Sequence, residues 1–409
     1  MLLSDVVSPF CACLCDDLTL LVQDGKLIPQ SDLCPSAAER YQAVNDFSGP
    51  PAKVGDQKSS YEEAVQAAHR VLQESRAPLV FGMSGMGTNS HRAAILFAER
   101  WRGVIDSGTG PLSRATLSAL QRTGLSTCSL GEIKNRADLI LIWGADPVKT
   151  HPRLLQRLKV NASRSVIVVD TQRTATAELA SEFIQVPAAS QLETLLALRM
   201  LTRRPDVIPQ TPVGVNISRL QSLAQRLKQC HYGVALCGES LLQGPLPDRV
   251  LGTLVQLVDD LCSHTRFAVR PLGKPSAESV LAWQTGFAGV VSFQSGAPAA
   301  LHERKSASDL LENGEADCAV ILGSSSLKNL SAAARRSLAT VPTILIEPIG
   351  ETAGDIAFQP DILIQTAVDG IHTRDSINRW DDVPLPLRPL ISATFPTVSD
   401  VLRRLLPVN

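Results

Sequence analysis

Four thiols stand within the first 34 residues. Cys11, Cys13 and Cys15 alternate just after Pro9-Phe10, and Cys34 follows a short segment later. Soft iron prefers thiolate donors, so cysteines crowded in this way point to an iron–sulfur ligand set, or to what remains of one. The other cysteines, Cys128, Cys230, Cys237, Cys262 and Cys318, are too scattered for a site and read as plain buried or partly buried thiols. A second candidate is Gly82-Met83-Ser84-Gly85-Met86-Gly87, whose glycine density suits a phosphate cradle. It lacks the Lys and Ser/Thr of a P-loop and the acidic residue at the usual distance, which makes a nucleotide there the weaker reading.

These residues need elements to hold them. Leu18 to Val22, the Asp24-Gly25 turn and Lys26 to Ile28 predict a hairpin, followed by a short helix over Ser36 to Val44 and a Ser48-Gly49-Pro50-Pro51 linker. From Tyr61 onward, short apolar runs alternate with helical periods. Strands are expected at Pro78 to Gly82, Gly103 to Asp106, Asp138 to Gly144, Ser165 to Asp170, Tyr232 to Cys237, Arg266 to Arg270, Asp317 to Gly323 and Thr343 to Glu347. Helices are expected at Ala64 to Leu72, His91 to Arg102, Gln191 to Met200 and Asp248 to Leu261. Continuous rather than alternating strands, separated by helices, indicate parallel sheets covered on both faces, so the fold class is α/β with doubly wound, Rossmann-like domains. The expected divisions are a small amino-terminal domain over 1–57, an α/β domain over 58–212, and a second α/β region with a carboxy-terminal segment over 213–409. Ligands in such folds bind in loops after strands, here Gly82 to Gly87, Ser107 to Gly110, Gly144 to Pro147 and Gly323 to Ser326.

Composition narrows the function classes. At 409 residues, the chain is long enough for two or three domains. Its 39 basic residues balance 40 acidic ones and aromatics are only 4%, so there is no basic stripe with interleaved aromatics for nucleic acid. Asp5, Asp16 and Asp17 interrupt the region where a signal peptide would need an apolar run, and no stretch approaches the roughly 18 apolar residues of a membrane span. A cytoplasmic protein with reduced thiols is expected.

One block makes the chain recognisable: Leu130 through Asp138, the run Leu139 to Ile142, then Trp143-Gly144-Ala145-Asp146-Pro147 and His151-Pro152-Arg153. It closely resembles the B subunit of formylmethanofuran dehydrogenase, of the molybdopterin oxidoreductase superfamily. The opening Pro9-Phe10-Cys11 with Cys15-Asp16-Asp17, Asp24-Gly25-Lys26, Asp170-Thr171 with Arg173 to Thr176, Trp283-Gln284-Thr285-Gly286, and Gly370-Ile371 through Arg379 to Leu385 follow in the family's order. The resemblance implies the formate dehydrogenase/DMSO reductase type of fold. It also implies two cofactors: a [4Fe–4S] cluster on four amino-terminal cysteines, and tungsten or molybdenum held by a bis-pterin and a cysteine or selenocysteine.

This chain departs from the family at both of those cofactor sites. The family's first cluster ligand matches Ser8, while Cys11, Cys15 and Cys34 match the other three and Cys13 is extra. Where the family reads Cys-His-Gly-Pro, the chain reads Gly108-Thr109-Gly110-Pro111, so the metal ligand matches Gly108 and the adjacent histidine matches Thr109. The family's Pro-Met-Arg-Gly-His corresponds to Pro271-Leu272-Gly273-Lys274-Pro275, and its pterin-holding Asp-Pro turn to Ser324-Ser325-Ser326-Leu327. Glycine offers no ligand, and a neutral hydroxyl cannot replace imidazole in moving protons.

The pattern is similar to the B subunit of the bacterial formyltransferase/hydrolase complex. The expectation is a member of an enzyme complex that is itself without catalytic activity: a vestigial cluster site at Ser8, Cys11, Cys15 and Cys34, vacated positions Gly108 and Thr109, and no cofactor. The resemblance implies as partners an amidohydrolase (A), a C subunit and a formyltransferase (D), with no nucleic acid and no membrane. The complex would move formyl from formyl-tetrahydromethanopterin to a methanofuran-like carrier and hydrolyse it to formate. The alternative is a working tungsten or molybdenum bis-pterin dehydrogenase, with a [4Fe–4S] cluster, that interconverts CO2 and formate. The resemblance would have His151-Pro152-Arg153 face a cofactor, with a helix cap or loop-carbonyl bond as the favoured alternative; it would set Lys134, Asn135 and Arg136 against a pterin phosphate, and gives Asp170-Thr171 with Arg173 and Thr174 the same origin, with helix capping as the alternative.

Overall fold

The computed structural model describes residues 1–161, 164–207, 214–273, 277–301, 305–351, 354 and 356–407. The chain divides into two compact units. The first comprises Met1–Gly110, Pro275–Arg379 and Pro384–Asn409, and the second Pro111–Lys274 and Trp380–Val383. This division does not follow the linear boundaries expected at 57 and 212, and the second of those lies outside the described residues. Strand pairing is the reason. Cys318–Leu322 pairs in parallel with Pro78–Gly82, while Tyr232–Cys237 pairs in parallel with Leu139–Trp143. The intervening unit is therefore an insertion into the chain of the first.

In the first unit, a nine-stranded sheet has a parallel centre running Val104–Asp106, Pro78–Gly82, Cys318–Leu322, Thr343–Pro348 and Ile362–Thr366. Four of these five strands are fully buried and mostly apolar, and only Ile362–Thr366 has a partly exposed member, Leu363. Short antiparallel strands close both edges: Val291–Ser292 with Ala299–Ala300 at one, and Ala52–Val54 with Gln57–Ser59 at the other. The hairpin Leu18–Gln23 and Lys26–Pro29 forms as expected, with Leu2–Val6 added as a third strand. Asn45, at the end of the helix Pro35–Asn45, fastens to it. Its side chain accepts from the Leu27 N–H at 2.9 Å and donates to the Leu27 carbonyl at 2.8 Å.

The second unit is a five-stranded, wholly parallel sheet ordered Glu182–Gln185, Ser165–Asp170, Leu139–Trp143, Tyr232–Cys237, Arg266–Pro271. The chain runs outward from Leu139–Trp143 in one direction and then returns to build the other side, which is the doubly wound order with its switch point between Leu139–Trp143 and Tyr232–Cys237. Both units thus have the parallel, helix-covered sheets that the apolar runs required. Among the described residues, no helix is long and apolar enough to cross a membrane.

Candidate functional site

The amino-terminal thiols lie on a tight loop between Leu2–Val6 and Leu18–Gln23. The Ser8 N–H donates to the Cys15 carbonyl at 2.8 Å and the Leu14 N–H to the Cys11 carbonyl at 2.9 Å, with Leu14 in the left-handed region at φ 40°. Cys34 enters from the other side as the residue capping the helix Pro35–Asn45. Ser8, Cys11, Cys13, Cys15 and Cys34 are all buried. Cys11 Sγ lies 3.7 Å from Cys15 Sγ, and Cys34 Sγ lies 3.4 Å from Ser36 Oγ. A hydrogen bond from Cys11, outweighing the cost of burial, brings Cys34 down to about 6, and the same bonding to Cys15 and Cys34 pushes Cys11 up. Asp16 meets Arg379 at 3.0 Å, which ties the loop to the later part of the chain.

Cys11 thus lies against both Cys15 and Cys34, while the position that matches the family's first ligand carries the hydroxyl of Ser8. These are not the four soft donors a [4Fe–4S] cluster takes. Among the described residues, no group of three or more His, Cys, Asp or Glu side chains is placed to hold a metal ion.

Gly108 and Thr109 follow the strand Val104–Asp106. Gly108 has φ +66°, and a Cβ built on it would lie 3.0 Å from Gly82 Cα, 3.3 Å from Gly82 N and 3.3 Å from the Phe81 ring. A cysteine here would be strained and pressed against backbone before its sulfur reached any metal. The neighbouring polar atoms already satisfy one another. The Ser107 hydroxyl donates to the buried carboxylate of Glu278, the Thr109 hydroxyl donates to the same oxygen at 3.3 Å, and the Gly289 N–H donates to its other oxygen. Ser107 and Thr109 hydroxyls stand 2.9 Å apart, Asn329 donates to the Gly108 carbonyl, and Asp106 accepts from the Gly108 and Ala307 N–H groups at 3.0 and 2.9 Å. The residues present do not fit a protein-ligated tungsten or molybdenum.

The glycine-rich loop is filled in the same manner. The helix Thr88–Arg100 begins after Gly87, where the N–H of Gly87 and the hydroxyl of Ser90 each donate to Asp369 at 2.8 Å, and the N–H of Asn89 donates to Asp375 at 3.1 Å. A Cβ on Gly87 would meet Asp375 Oδ2 at 2.2 Å. Two carboxylates of this chain occupy the helix start that an anionic phosphate would otherwise seek. Burial raises the Asp375 carboxyl above its usual range.

At the switch point of the first unit, a Cβ on Gly82 would lie 2.3 Å from the Leu322 carbonyl oxygen and 2.9 Å from Ser326 Oγ. Ser326 is fixed there by donating to the Gly323 carbonyl at 2.6 Å. Ser324 gives its N–H to Glu347 at 2.7 Å and its hydroxyl to the same carboxyl group. Burial, reinforced by the charge of Glu351, pushes Glu347 up to about 8. Glu351 accepts from the Ser325 N–H at 3.3 Å and faces Arg40 at 3.6 Å.

In the second unit the switch point also closes on backbone: a Cβ on Gly144 would meet Leu241 N at 2.2 Å, and one on Gly238 the Gly144 carbonyl at 2.5 Å. Asp170 accepts from the Ser240 hydroxyl at 2.7 Å. Thr174 caps the helix Ala175–Glu178, and Arg173 pairs with Glu178 at 2.6 Å. Arg136 stacks over Tyr232 at 5.4 Å. His151 is buried, its Nδ1 2.9 Å from Thr150 Oγ1, and burial takes it down to about 4. Of the residues expected in the Pro271 to Pro275 stretch, Lys274 and Pro275 lie outside the described residues.

Glu278 and Glu347 were not singled out from sequence. Glu347 follows the apolar run Ile344 to Ile346 within the strand Thr343–Pro348, a signal that could have flagged it. Glu278 is the one acidic residue in the helix Ala277–Thr285, and nothing in its spacing distinguishes it from a solvated position.

No family model matches the chain. The B subunit of the tungsten-containing formylmethanofuran dehydrogenase 2 of Methanocaldococcus jannaschii is 29% identical over 408 residues, covering 95% of this chain and 93% of that protein. The B subunit of the formyltransferase/hydrolase complex Fhc of Methylorubrum extorquens is 28% identical over 349 residues, covering 78% of this chain and 85% of that protein. Among solved structures, the formyltransferase/hydrolase complex FhcABCD from Methylorubrum extorquens in complex with methylofuran matches with a TM-score of 0.70 and 24% identity, over 87% of this chain and 97% of the matched one. The structural likeness carries the α/β fold with its parallel sheets, and the sequence likeness spans nearly the whole chain: the protein is homologous to the B subunits of formylmethanofuran dehydrogenase and of the formyltransferase/hydrolase complex.

Proposed function

We propose that the chain is a non-redox structural subunit of a formyltransferase/hydrolase complex. In that complex an amidohydrolase (A), a C subunit and a formyltransferase (D) are its partners, and the complex moves formyl from formyl-tetrahydromethanopterin to a methanofuran-like carrier and hydrolyses it to formate. The observation that carries this reading is Gly108. Its position has no ligand atom, its φ is +66°, and its Cβ direction points at Gly82 backbone 3.0 Å away. Ser8 in place of a cluster thiol supports the same reading independently. On this reading the amino-terminal loop is a vestigial cluster site that now serves packing, and the chain carries neither iron–sulfur cluster nor pterin.

The coverage of 95% with a tungsten-containing dehydrogenase subunit favours a second reading, an active CO2-reducing or formate-oxidising subunit. That reading needs a metal with no protein ligand at position 108. Co-expression of the chain with A, C and D subunits separates the readings. A stable four-subunit assembly with formyl transfer and hydrolysis supports the first. Formate oxidation with an artificial electron acceptor, dependent on tungsten or molybdenum, supports the second.

A further inference from the structure

Trp283 is 88% exposed, the most exposed large hydrophobic side chain described. It lies near the end of the helix Ala277–Thr285, whose other face is buried through Ala277, Glu278, Val280, Leu281 and Ala282. The next two residues, Gln284 and Thr285, line a groove of about 550 Å³ that also takes in Ile95, Leu96 and Phe293. Arg92 and Arg403 reach this groove from the helices Thr88–Arg100 and Val398–Arg404, and neither has an ion-pair partner among the described residues. Glu99 is the one carboxylate in the lining.

An indole left in water beside a groove whose lining mixes apolar with polar and charged side chains is what a protein interface presents when its partner is absent. Tryptophan and arginine are the side chains over-represented among residues that dominate binding. The charge specifies the other side: two guanidiniums against one carboxylate call for a partner that brings carboxylates of its own. We infer that Trp283, with the groove bearing Arg92 and Arg403, is a docking surface for another subunit of the complex, one that offers an apolar pocket for the indole flanked by at least two carboxylates. This rests on the structural-subunit reading above. A second copy of this chain is the competing occupant, and the groove's own excess of guanidinium over carboxylate makes self-pairing unfavourable.

The test is assembly of the full-length chain with the purified A, C and D subunits, followed by light scattering and titration. Trp283→Ala is expected to weaken assembly by roughly 30-fold, as removal of a central aromatic anchor does. The double variant R92E/R403E is expected to weaken it by roughly 10-fold and to flatten its salt dependence. Both variants should keep the wild-type circular dichroism and melting midpoint, because the three side chains are exposed. In the wild type, acrylamide quenching of tryptophan fluorescence should fall on assembly, and Trp283→Phe should remove most of that change. Assembly of both variants at wild-type affinity overturns the docking surface while leaving the structural-subunit reading standing. Loss of a homodimer in Trp283→Ala with unchanged hetero-assembly assigns the surface to a second copy and also overturns the proposal. Failure of the wild type to assemble overturns both.

Discussion

Replacing Gly108 by alanine tests whether position 108, which the resemblance aligns with the family's metal ligand, is closely packed against backbone. Two costs follow from the structure. A non-glycine residue held in the left-handed region costs about 1–2 kcal/mol, and a Cβ at 3.0 Å from Gly82 Cα and 3.3 Å from both Gly82 N and the Phe81 ring adds overpacking of roughly 1–3 kcal/mol. Gly25 supplies the control. Its φ is +73°, and a Cβ there meets nothing within 4 Å. Gly25→Ala should therefore incur only the conformational cost, and Gly108→Ala should exceed it by roughly 1–3 kcal/mol. Urea titrations followed by circular dichroism on the two variants and the wild type give the comparison as a difference in midpoints. Gly108→Cys should behave like Gly108→Ala and take up no tungsten or molybdenum during expression with either metal supplied. Equal midpoints for the two alanine variants, or stoichiometric metal in Gly108→Cys, would refute the packing argument.

Three further outcomes are expected. Ser8→Cys puts a thiol at each of the four positions that match the family's cluster ligands, and anaerobic reconstitution with iron and sulfide should then load a cluster visible by its absorbance without producing any formate oxidation; activity from that single change would contradict the reading of position 108. His91 and His151 are both buried and brought down to about 4. A folded pKa below the unfolded value of about 6.5 means their contribution is full above pH 6.5 and is lost as pH falls toward 4, by up to about 1.4 kcal/mol per pH unit for each histidine. Imidazole signals that titrate near pH 6.5 in the folded protein would contradict this. Glu347 has the opposite sign, since its folded pKa near 8 lies above the ordinary carboxyl value, so stability declines as pH rises from about 4.5 through 8. Glu347→Gln should remove that decline, raising the variant's urea midpoint at pH 9 relative to its value at pH 5 when each is compared with the wild type; parallel pH profiles would count against a protonated Glu347.

The sheets were legible because their strands are unbroken apolar runs, as at Leu139–Trp143 and Cys318–Leu322, and only a parallel sheet covered on both faces needs such runs. Ile362–Thr366 escaped notice because Gln365 and Thr366 make it look like a loop, although both side chains are buried. The division into units was not legible. Which strand Tyr232–Cys237 pairs with is decided by tertiary contact, and no composition change marks Gly110 or Pro275. At the site, Ser8 and Gly108 stand out only through the family resemblance, which aligns them with donor positions. What replaces the donors could not be read from sequence. Glu278 reaches Ser107 and Thr109 across about 170 residues of sequence, and Asp369 and Asp375 reach the Gly87 helix start across more than 280. Local spacing holds no record of such pairings. The ion pair of Asp16 with Arg379 was out of reach of local spacing for the same reason.

The most direct test of a non-redox structural role is the metal and organic cofactor content of the chain within its intact, purified complex. Elemental analysis together with chromatography of acid-released pterins should find no stoichiometric tungsten, molybdenum or pterin per copy of this chain. One tungsten or molybdenum atom with two pterins per copy would contradict the account.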